Sequence, residues 1–224
     1  MPMESLLLSG GKTRPEEFRL LDRMYKLRHA VFAERLKWTS LDSYQREIDL
    51  YDVLSPVYLI CRDPAGEVVG CWRLLPTTGP YMLKDIFSHL LWGAPPPEQS
   101  DIWEISRFAI DPTWRDYDSL GAVGSVVGQM LLDLFDFSEA NGITRIVAAS
   151  DIRFDRILKR AGLSTIHYGP AVRMENSTAV AGWTDITPEN RELIEMRLAG
   201  TLATSVPAAN APLQPIQLER RING

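Results

Sequence analysis

The chain has 224 residues, of which 45% are hydrophobic and 24% are charged, and its net charge at pH 7 is −5. This composition is typical of a globular protein with one hydrophobic core. The acidic balance argues against a broad nucleic-acid surface, which usually requires an excess of Lys and Arg. No segment approaches the roughly 18 consecutive apolar residues of a membrane span. We therefore expect a cytoplasmic protein without a membrane span.

The cysteines and histidines indicate neither a disulfide nor a metal site. Cys61 and Cys71 both lie in apolar stretches that predict strands, which favours buried free thiols. His29, His89 and His167 are scattered along the chain without the spacing of metal ligands. The sequence therefore predicts no metal.

The first part of the chain predicts a helix and then a hairpin. Apolar residues recur at helical spacing over residues 15–37. Residues 39–54 are polar and acidic without a clear period, which indicates a loop. Two apolar runs, 57–62 and 67–75, flank a turn of the sequence Asp-Pro-Ala-Gly, which favours a β-hairpin.

The remaining segments alternate between strand-like and helix-like patterns. The expected order is a short extended piece (80–83), a helix (85–92), a strand (102–110), a long helix (119–140), a strand (143–149), a helix (151–161), strands (163–168, 172–176, 180–186) and a helix (188–198). This order predicts one α/β domain over residues 1–200, with a mixed central sheet flanked by helices in three layers, as in the acetyltransferase (GNAT)-like fold. Residues 201–224 are rich in Ala and Pro, so we expect a flexible C-terminal tail.

Charged residues stand among aromatic ones between residues 28 and 54. Arg28 and Phe32 are one helical turn apart and share a face, and Trp38 follows just beyond. Asp49 and Asp52 lie in the acidic stretch. Two simpler interpretations remain open, an arginine that snorkels over packed rings and a solvated acidic loop.

Two predicted strands also carry charges. Arg73 interrupts an apolar run, and a buried arginine needs a carboxylate partner. In the strand over residues 102–110, alternation places Glu104 and Phe108 on one face and Arg107 on the other. Structural ion pairs are the alternative to a functional site here.

Taken together, these segments resemble the acyl-homoserine lactone synthases of the LuxI type. The resemblance is carried by Arg28-His-Ala-Val-Phe32, Trp38, Asp49-Leu-Tyr-Asp52, Trp72-Arg73-Leu-Leu-Pro-Thr77, Pro80-Tyr-Met-Leu83 and Trp103-Glu104-Ile-Ser-Arg107-Phe108. Order and approximate spacing are kept over about eighty residues, and the resemblance weakens beyond Ile110.

The resemblance implies an enzyme that acylates S-adenosylmethionine and closes the product into a lactone, releasing methylthioadenosine. The implied acyl donor is a thioester of acyl carrier protein or of coenzyme A, and no bound prosthetic group is implied. Glu104 and Arg107 are the implied catalytic residues, with Glu104 as general base. The implied S-adenosylmethionine-binding residues are Arg28, Phe32, Trp38, Asp49, Asp52, Arg107 and Phe108. Arg73 is expected to pair with an acidic neighbour and hold the pocket together.

The later part of the chain suggests where the acyl donor binds. Arg153, Arg156, Lys159 and Arg160 lie on one predicted helix and suit an acidic carrier protein or coenzyme A phosphates, although a solvated helix face is the alternative.

Val147, Ala148, Ala149 and Leu163 are expected to line an apolar acyl pocket. In the family, a hydroxyl side chain in the first of these strands often accompanies a preference for 3-oxo chains. Here Ala148 or Ala149 stands at that place, which favours an unsubstituted or unusual acyl group.

Two other functions stay open at this point. An ordinary coenzyme A-dependent N-acyltransferase would release no methylthioadenosine. A non-enzymatic sensor of an apolar ligand would bind without turnover and would tolerate Glu104→Gln.

Overall fold

The computed structural model describes residues 4–9, 14–36, 42–111, 125–174 and 177–205. Its strands are β1 (Glu4–Ser9), β2 (Asp42–Ser43), β3 (Arg46–Glu47), β4 (Val57–Arg62), β5 (Val68–Pro76), β6 (Ile102–Ile110), β7 (Arg145–Asp151), β8 (Ile166–His167), β9 (Val172–Arg173) and β10 (Thr178–Asp185). Its α-helices are α1 (Pro15–Arg28), α2 (Met82–Asp85), α3 (Ser125–Ala140), α4 (Ile152–Arg160) and α5 (Pro188–Ser205).

One mixed sheet organises the described residues, in the strand order β1-β4-β5-β6-β7-β10-β8, with β9 paired to β10. Neighbouring strands are antiparallel except for β6 and β7, which are parallel. These two strands pair only from Ile102↔Arg145 to Glu104↔Val147, although both continue beyond. The sheet therefore splits after Glu104.

Helices cover both faces of the sheet. On one face α3, α4 and α5 enclose the largest core cluster, with Phe135 and Ile194 fully buried. On the other face α1 packs over β4, β5 and β6, and the segment that contains α2 packs over β6, β7 and β10. The predicted three-layer α/β class is confirmed.

Several boundaries differ from the prediction for physical reasons. The helix predicted over residues 15–37 is α1 followed by a π-helix, His29–Arg35, so its hydrogen-bond pattern changes directly after Arg28. The loop predicted over residues 39–54 contains the β2–β3 hairpin and a 3₁₀ helix, Leu50–Leu54. Strand β1 is not predicted, because its apolar run is short and gains its stability by pairing with β4.

The segment 80–92 is also arranged differently from the prediction. Helix α2 begins at Met82, where an extended piece is predicted, and a separate 3₁₀ helix covers Ser88–Leu91. The backbone amides of Met82 and Leu83 bind a buried carboxylate, which starts the helix earlier than periodicity indicates.

The last helix, α5, extends past the predicted boundary at residue 200 to Ser205. Three predicted features lie outside the described residues: Trp38, residues 119–124 of the predicted long helix, and residues 206–224 of the predicted tail.

Cys61 and Cys71 are buried free thiols, as predicted. Among the described helices, none is long and apolar enough to cross a membrane.

Candidate active site

Six charged side chains form a buried ion network beside the centre of the sheet. The network consists of Arg28, Arg73, Arg107, Glu47, Asp49 and Asp52. No more than 8% of any of these side chains is exposed. Three positive and three negative charges therefore neutralise one another without a ligand, which makes their burial tolerable.

Arg28 lies at the end of α1 and joins two acidic residues. Its Nη1 and Nη2 atoms donate to Oδ1 and Oδ2 of Asp52 at 2.8 and 2.9 Å. Its Nε donates to Oε2 of Glu47. A guanidinium has five donors in a rigid plane, so it can hold two carboxylates at once.

The 3₁₀ helix positions the two aspartates. Asp49 caps its start by accepting from the Tyr51 amide at 2.8 Å, and Asp52 accepts from the Asp49 amide at 2.7 Å. The Tyr58 hydroxyl donates to Asp52 Oδ1 at 2.8 Å. Burial alone would raise the pKa of Asp52, but Arg28 and Arg73 outweigh it and hold this pKa well below its usual range.

The carboxylate partner that the sequence predicts for Arg73 is confirmed, because Arg73 binds both Asp49 and Asp52. Its Nε also donates to the Ser106 hydroxyl at 3.1 Å. Arg107 binds Oε1 of Glu47 at 3.0 Å and Oδ2 of Asp49 at 2.7 Å.

A β-bulge aims Arg107 at this network. Arg107 has a φ of +54°, and Arg107 and Phe108 together oppose the single residue Trp72 on β5. The prediction that Arg107 and Glu104 lie on opposite faces is therefore wrong, because the extra residue reverses the alternation. A positive φ at a residue other than glycine is costly and is often found at functional sites.

The same bulge sends Phe108 to the other face of the sheet. Its ring lies 4.9 Å from that of Trp72 and stacks at 4.3 Å on that of Phe154. The structure thus separates Phe108 from the ion network, contrary to its expected place among the S-adenosylmethionine-binding residues. Phe32 remains near the network, since Arg107 lies over its ring at 5.6 Å.

Glu104 lies at the point where β6 and β7 separate. Only 1% of the residue is exposed, and its carboxylate accepts from the amides of Met82 and Leu83 at 3.0 and 2.6 Å. Burial raises its pKa to about 7, although these two hydrogen bonds and the nearby Arg73 and Arg107 favour the ionised form. A carboxyl that titrates near neutrality is suited to accepting a proton during catalysis.

Glu47 and Tyr58 belong to the site but are not among the residues that the sequence predicts. Glu47 bridges Arg28 and Arg107, and Tyr58 orients Asp52. The one available signal is the position of Glu47, two residues before Asp49 with an apolar residue between them. That alternation is typical of a short strand, in which both carboxylates would share a face.

A cavity of about 30 Å³ lies on the opposite face of the sheet, beneath α3 and α4. Ala148 and Leu163, two of the residues expected to line an acyl pocket, line this cavity. Val147 and Ala149 do not, because successive residues of β7 point to opposite faces, and both pack in the core cluster beside α2. Cavity-lining residues that the sequence does not predict include Ile105, Thr165, His167 and Gly182.

The basic residues of α4 are on the surface. The exposed basic residues are Arg153, Arg156, Lys159 and Arg160. The ammonium group of Lys159 lies 3.2 Å from the buried carboxylate of Asp155. They lie on the same side of the sheet as the cavity, because α4 packs on β7 and β10 there.

Comparisons with known proteins agree with this geometry. The fold is that of acetyltransferase-like enzymes, and a likeness to an N-acetyltransferase from Lactobacillus plantarum, with a TM-score of 0.54 at 14% identity, supports the fold alone. The autoinducer synthase family model matches residues 13–194. The chain belongs to the autoinducer synthase family, and it is an enzyme of the acyltransferase type.

Individual relatives are similar over most of their length. An acyl-homoserine-lactone synthase of Pseudomonas aeruginosa is 39% identical over 196 residues, covering 83% of this chain and 96% of that protein. One from Ralstonia solanacearum is 34% identical, covering 92% and 96%. Among solved structures, the synthase LasI has a TM-score of 0.77 at 34% identity, covering 88% and 96%. BjaI, a CoA-dependent synthase solved with SAM and isopentyl-CoA, has a TM-score of 0.77 at 27% identity, covering 88% and 90%.

Proposed function

We propose that this chain makes an acyl-homoserine lactone signal from S-adenosylmethionine and an acyl thioester. The observation that carries the proposal is the position of Glu104, a buried carboxyl with a pKa of about 7, at the split between β6 and β7 and beside the ion network. S-adenosylmethionine has a cationic amine, a cationic sulfonium and an anionic carboxylate. A cluster of charges of both signs suits such a molecule.

The first step is acylation of the amine. Glu104 accepts a proton from the ammonium group, directly or through a water, and the neutral amine attacks the thioester carbonyl. The carbon–nitrogen bond forms, the carbon–sulfur bond of the thioester breaks, and the thiol of the donor leaves with a proton. Hydrogen-bond donors held near the thioester carbonyl would stabilise the oxyanion of the tetrahedral intermediate.

The second step is lactone formation. An oxygen of the substrate carboxylate attacks the γ-carbon, the bond from that carbon to the sulfonium sulfur breaks, and methylthioadenosine leaves with the electron pair. No proton acceptor is needed, because a carboxylate becomes an ester and a sulfonium becomes a thioether. The protein contributes mainly by folding the substrate into the attacking geometry.

Within the network, Arg107 is the better candidate to bind the substrate carboxylate. Arg28 binds Asp52 through both terminal nitrogens and Glu47 through Nε. Arg107 also binds two carboxylates, but it is the most exposed of the three arginines, at 8%. Asp49 beside it is suited to the cationic groups, and the ring of Phe32 suits the sulfonium or adenosine. Asp52, Arg28 and Arg73 would hold this arrangement in place.

The acyl chain would pass between the separated ends of β6 and β7 and enter the cavity lined by Ala148 and Leu163, whose side chains and neighbours would have to move apart because its volume of about 30 Å³ holds only a water-sized group. The exposed basic face of α4 lies on that side of the sheet, so it is suited to the phosphate-bearing part of the donor. The donor is accordingly a thioester of acyl carrier protein or of coenzyme A.

Mass spectrometry of the reaction products tests this proposal. Purified protein is incubated with S-adenosylmethionine and a panel of acyl thioesters on both carriers. We expect an acyl-homoserine lactone and methylthioadenosine in equal amounts, and loss of both with Glu104→Gln. An acylated amine without methylthioadenosine would indicate an ordinary N-acyltransferase instead, and thioester binding without any product would indicate a sensor.

A further inference from the structure

The cavity beneath α3 and α4 has polar groups on β7, where Ser150 lines it, and at the end away from the site. Most of its lining is apolar, including Leu134, Phe135 and Leu158, but Thr165 and His167 also face it. A cavity with an apolar wall and a few polar groups is suited to a ligand with an apolar body and a polar substituent.

The Thr165 hydroxyl is the clearest of these polar groups. Its Oγ1 atom is buried and has no hydrogen-bond partner among the described residues. Burying a hydroxyl without a partner is unfavourable, and nearly all buried polar groups in proteins are paired. By contrast, Thr184 lines the same cavity and donates to the Ser164 carbonyl at 3.0 Å.

His167 is held in a fixed orientation beside Thr165. Its Nε2 lies 2.9 Å from Oδ1 of Asp155, a buried residue that Lys159 also approaches. The bond between Nε2 and Asp155 fixes the orientation of the ring, and Nδ1 is not engaged by that carboxylate. Thr165 and His167 together therefore form a polar wall.

Gly182 leaves room for Thr165 and His167 to lie next to the cavity. A Cβ atom at Gly182 would lie 2.6 Å from the Ile166 carbonyl oxygen, 2.9 Å from Thr165 Cγ2 and 3.0 Å from His167 Cδ2, so residues 165–167 lie close over β10 where a larger residue would exclude them. Ala148, Gly182 and His167 are paired in one row across β7, β10 and β8. Because neighbouring strands are about 4.8 Å apart, the wall lies about 10 Å beyond β7.

We propose that the preferred acyl group carries a hydrogen-bonding oxygen near its distal end, as a hydroxyl, a ketone or a phenol, which binds Thr165 and His167. This inference rests on the proposed function, because it assumes that the thioester carbonyl lies at the split beside Glu104. The wall is too far from that split to bind an oxygen on the carbons next to the carbonyl.

Matched acyl donors and matched variants test the inference. The donors are octanoyl and terminally hydroxylated octanoyl thioesters, and phenylpropanoyl thioesters with and without a para hydroxyl, with methylthioadenosine release as the readout. We expect the wild type to prefer the oxygenated member of at least one pair by about tenfold in kcat/KM, a typical effect of one buried hydrogen bond. Thr165→Val should remove the preference, so that kcat/KM for the oxygenated member of the pair falls to about that for the unsubstituted one.

Thr184→Val and Thr165→Ser are the controls. Thr184→Val removes a hydroxyl that already has a protein partner, and Thr165→Ser keeps the hydroxyl in question, so both should retain the preference. A wild type without preference in both pairs, or a preference unchanged in Thr165→Val, would overturn the inference. If no donor yields methylthioadenosine at all, the proposed function fails as well, and that result is distinct from a lost preference.

Discussion

Arg28 holds Asp52 by two parallel hydrogen bonds of 2.8 and 2.9 Å, and both side chains are almost fully buried. This pair joins the end of α1 to the 3₁₀ helix that positions Asp49. Because Asp52 also binds Arg73 and Tyr58, it is the most connected acid of the network. Its loss would leave buried positive charge without compensation.

Asp52→Asn should therefore destabilise the fold by roughly 3–5 kcal/mol, the usual cost of removing one partner of a buried ion pair. Urea unfolding at neutral pH measures this change in the free energy of unfolding. Because the folded-state pKa of Asp52 lies below its unfolded value of about 3.9, this contribution should persist above that pH and be lost as the pH falls further. Asp136→Asn, which removes a half-exposed partner of Arg191, should cost no more than about 1 kcal/mol. Equal effects of the two substitutions would contradict the structural role of the network.

The pKa of Glu104 predicts a pH dependence of activity. The general base must be ionised, so kcat/KM should rise with pH up to about 7 and level off above it. Glu104→Gln should lower kcat by roughly 10²–10⁴-fold and abolish this rise. A steady-state pH profile of both proteins measures the effect. A Gln variant that kept the same rise would show that another group is the base.

Two glycines with positive φ allow a stability comparison near α4 and α3. Gly162 has a φ of +93°, and an added Cβ would lie 2.6 Å from the Leu193 carbonyl oxygen, whereas Gly142 has a φ of +67° and open space around it. Gly142→Ala should cost roughly 1–2 kcal/mol from backbone strain alone. Gly162→Ala should cost roughly 1–3 kcal/mol more, because the backbone of α5 must move. Thermal unfolding compares them, and similar losses would mean that α4 and α5 do not approach each other as described.

Charge reversal on α4 tests where the donor binds. Arg156→Glu combined with Arg160→Glu should raise the KM for a carrier-bound donor roughly tenfold and make it less sensitive to salt, because an acidic partner would then meet negative charge. A small thioester without the carrier should be unaffected. Arg19→Glu, an exposed position on the opposite side of the sheet, is the control. An unchanged KM in the double variant would place the docking surface elsewhere.

The sequence predicts the strands and the three layers well, because alternation and turn residues are local properties. Strands β4, β5 and β6 have nearly the predicted bounds, and the need of Arg73 for a carboxylate follows from the cost of burying its charge. The resemblance over residues 28–108 also predicts most of the network, including Arg28, Asp49 and Asp52.

The rest depends on tertiary contacts that leave no local pattern. The bulge at Arg107 reverses the faces of all later β6 residues. Phe108 therefore lies against Phe154, although alternation predicts that it shares a face of the sheet with Glu104. Glu47 lies in a stretch that resembles a solvated loop, and only the folded chain brings it between Arg28 and Arg107. The cavity likewise combines residues of β6, β7, β8 and β10 that are far apart in sequence.

Calorimetric titration with S-adenosylmethionine tests the central claim most directly, namely that the network around Arg107 binds this substrate. The wild type should bind it, and Arg107→Gln should weaken binding by roughly 10- to 100-fold through the loss of a charged hydrogen bond. Arg145→Gln, which removes the half-exposed partner of Asp185, should bind as the wild type does. A folded Arg107→Gln protein with undiminished affinity would contradict the account.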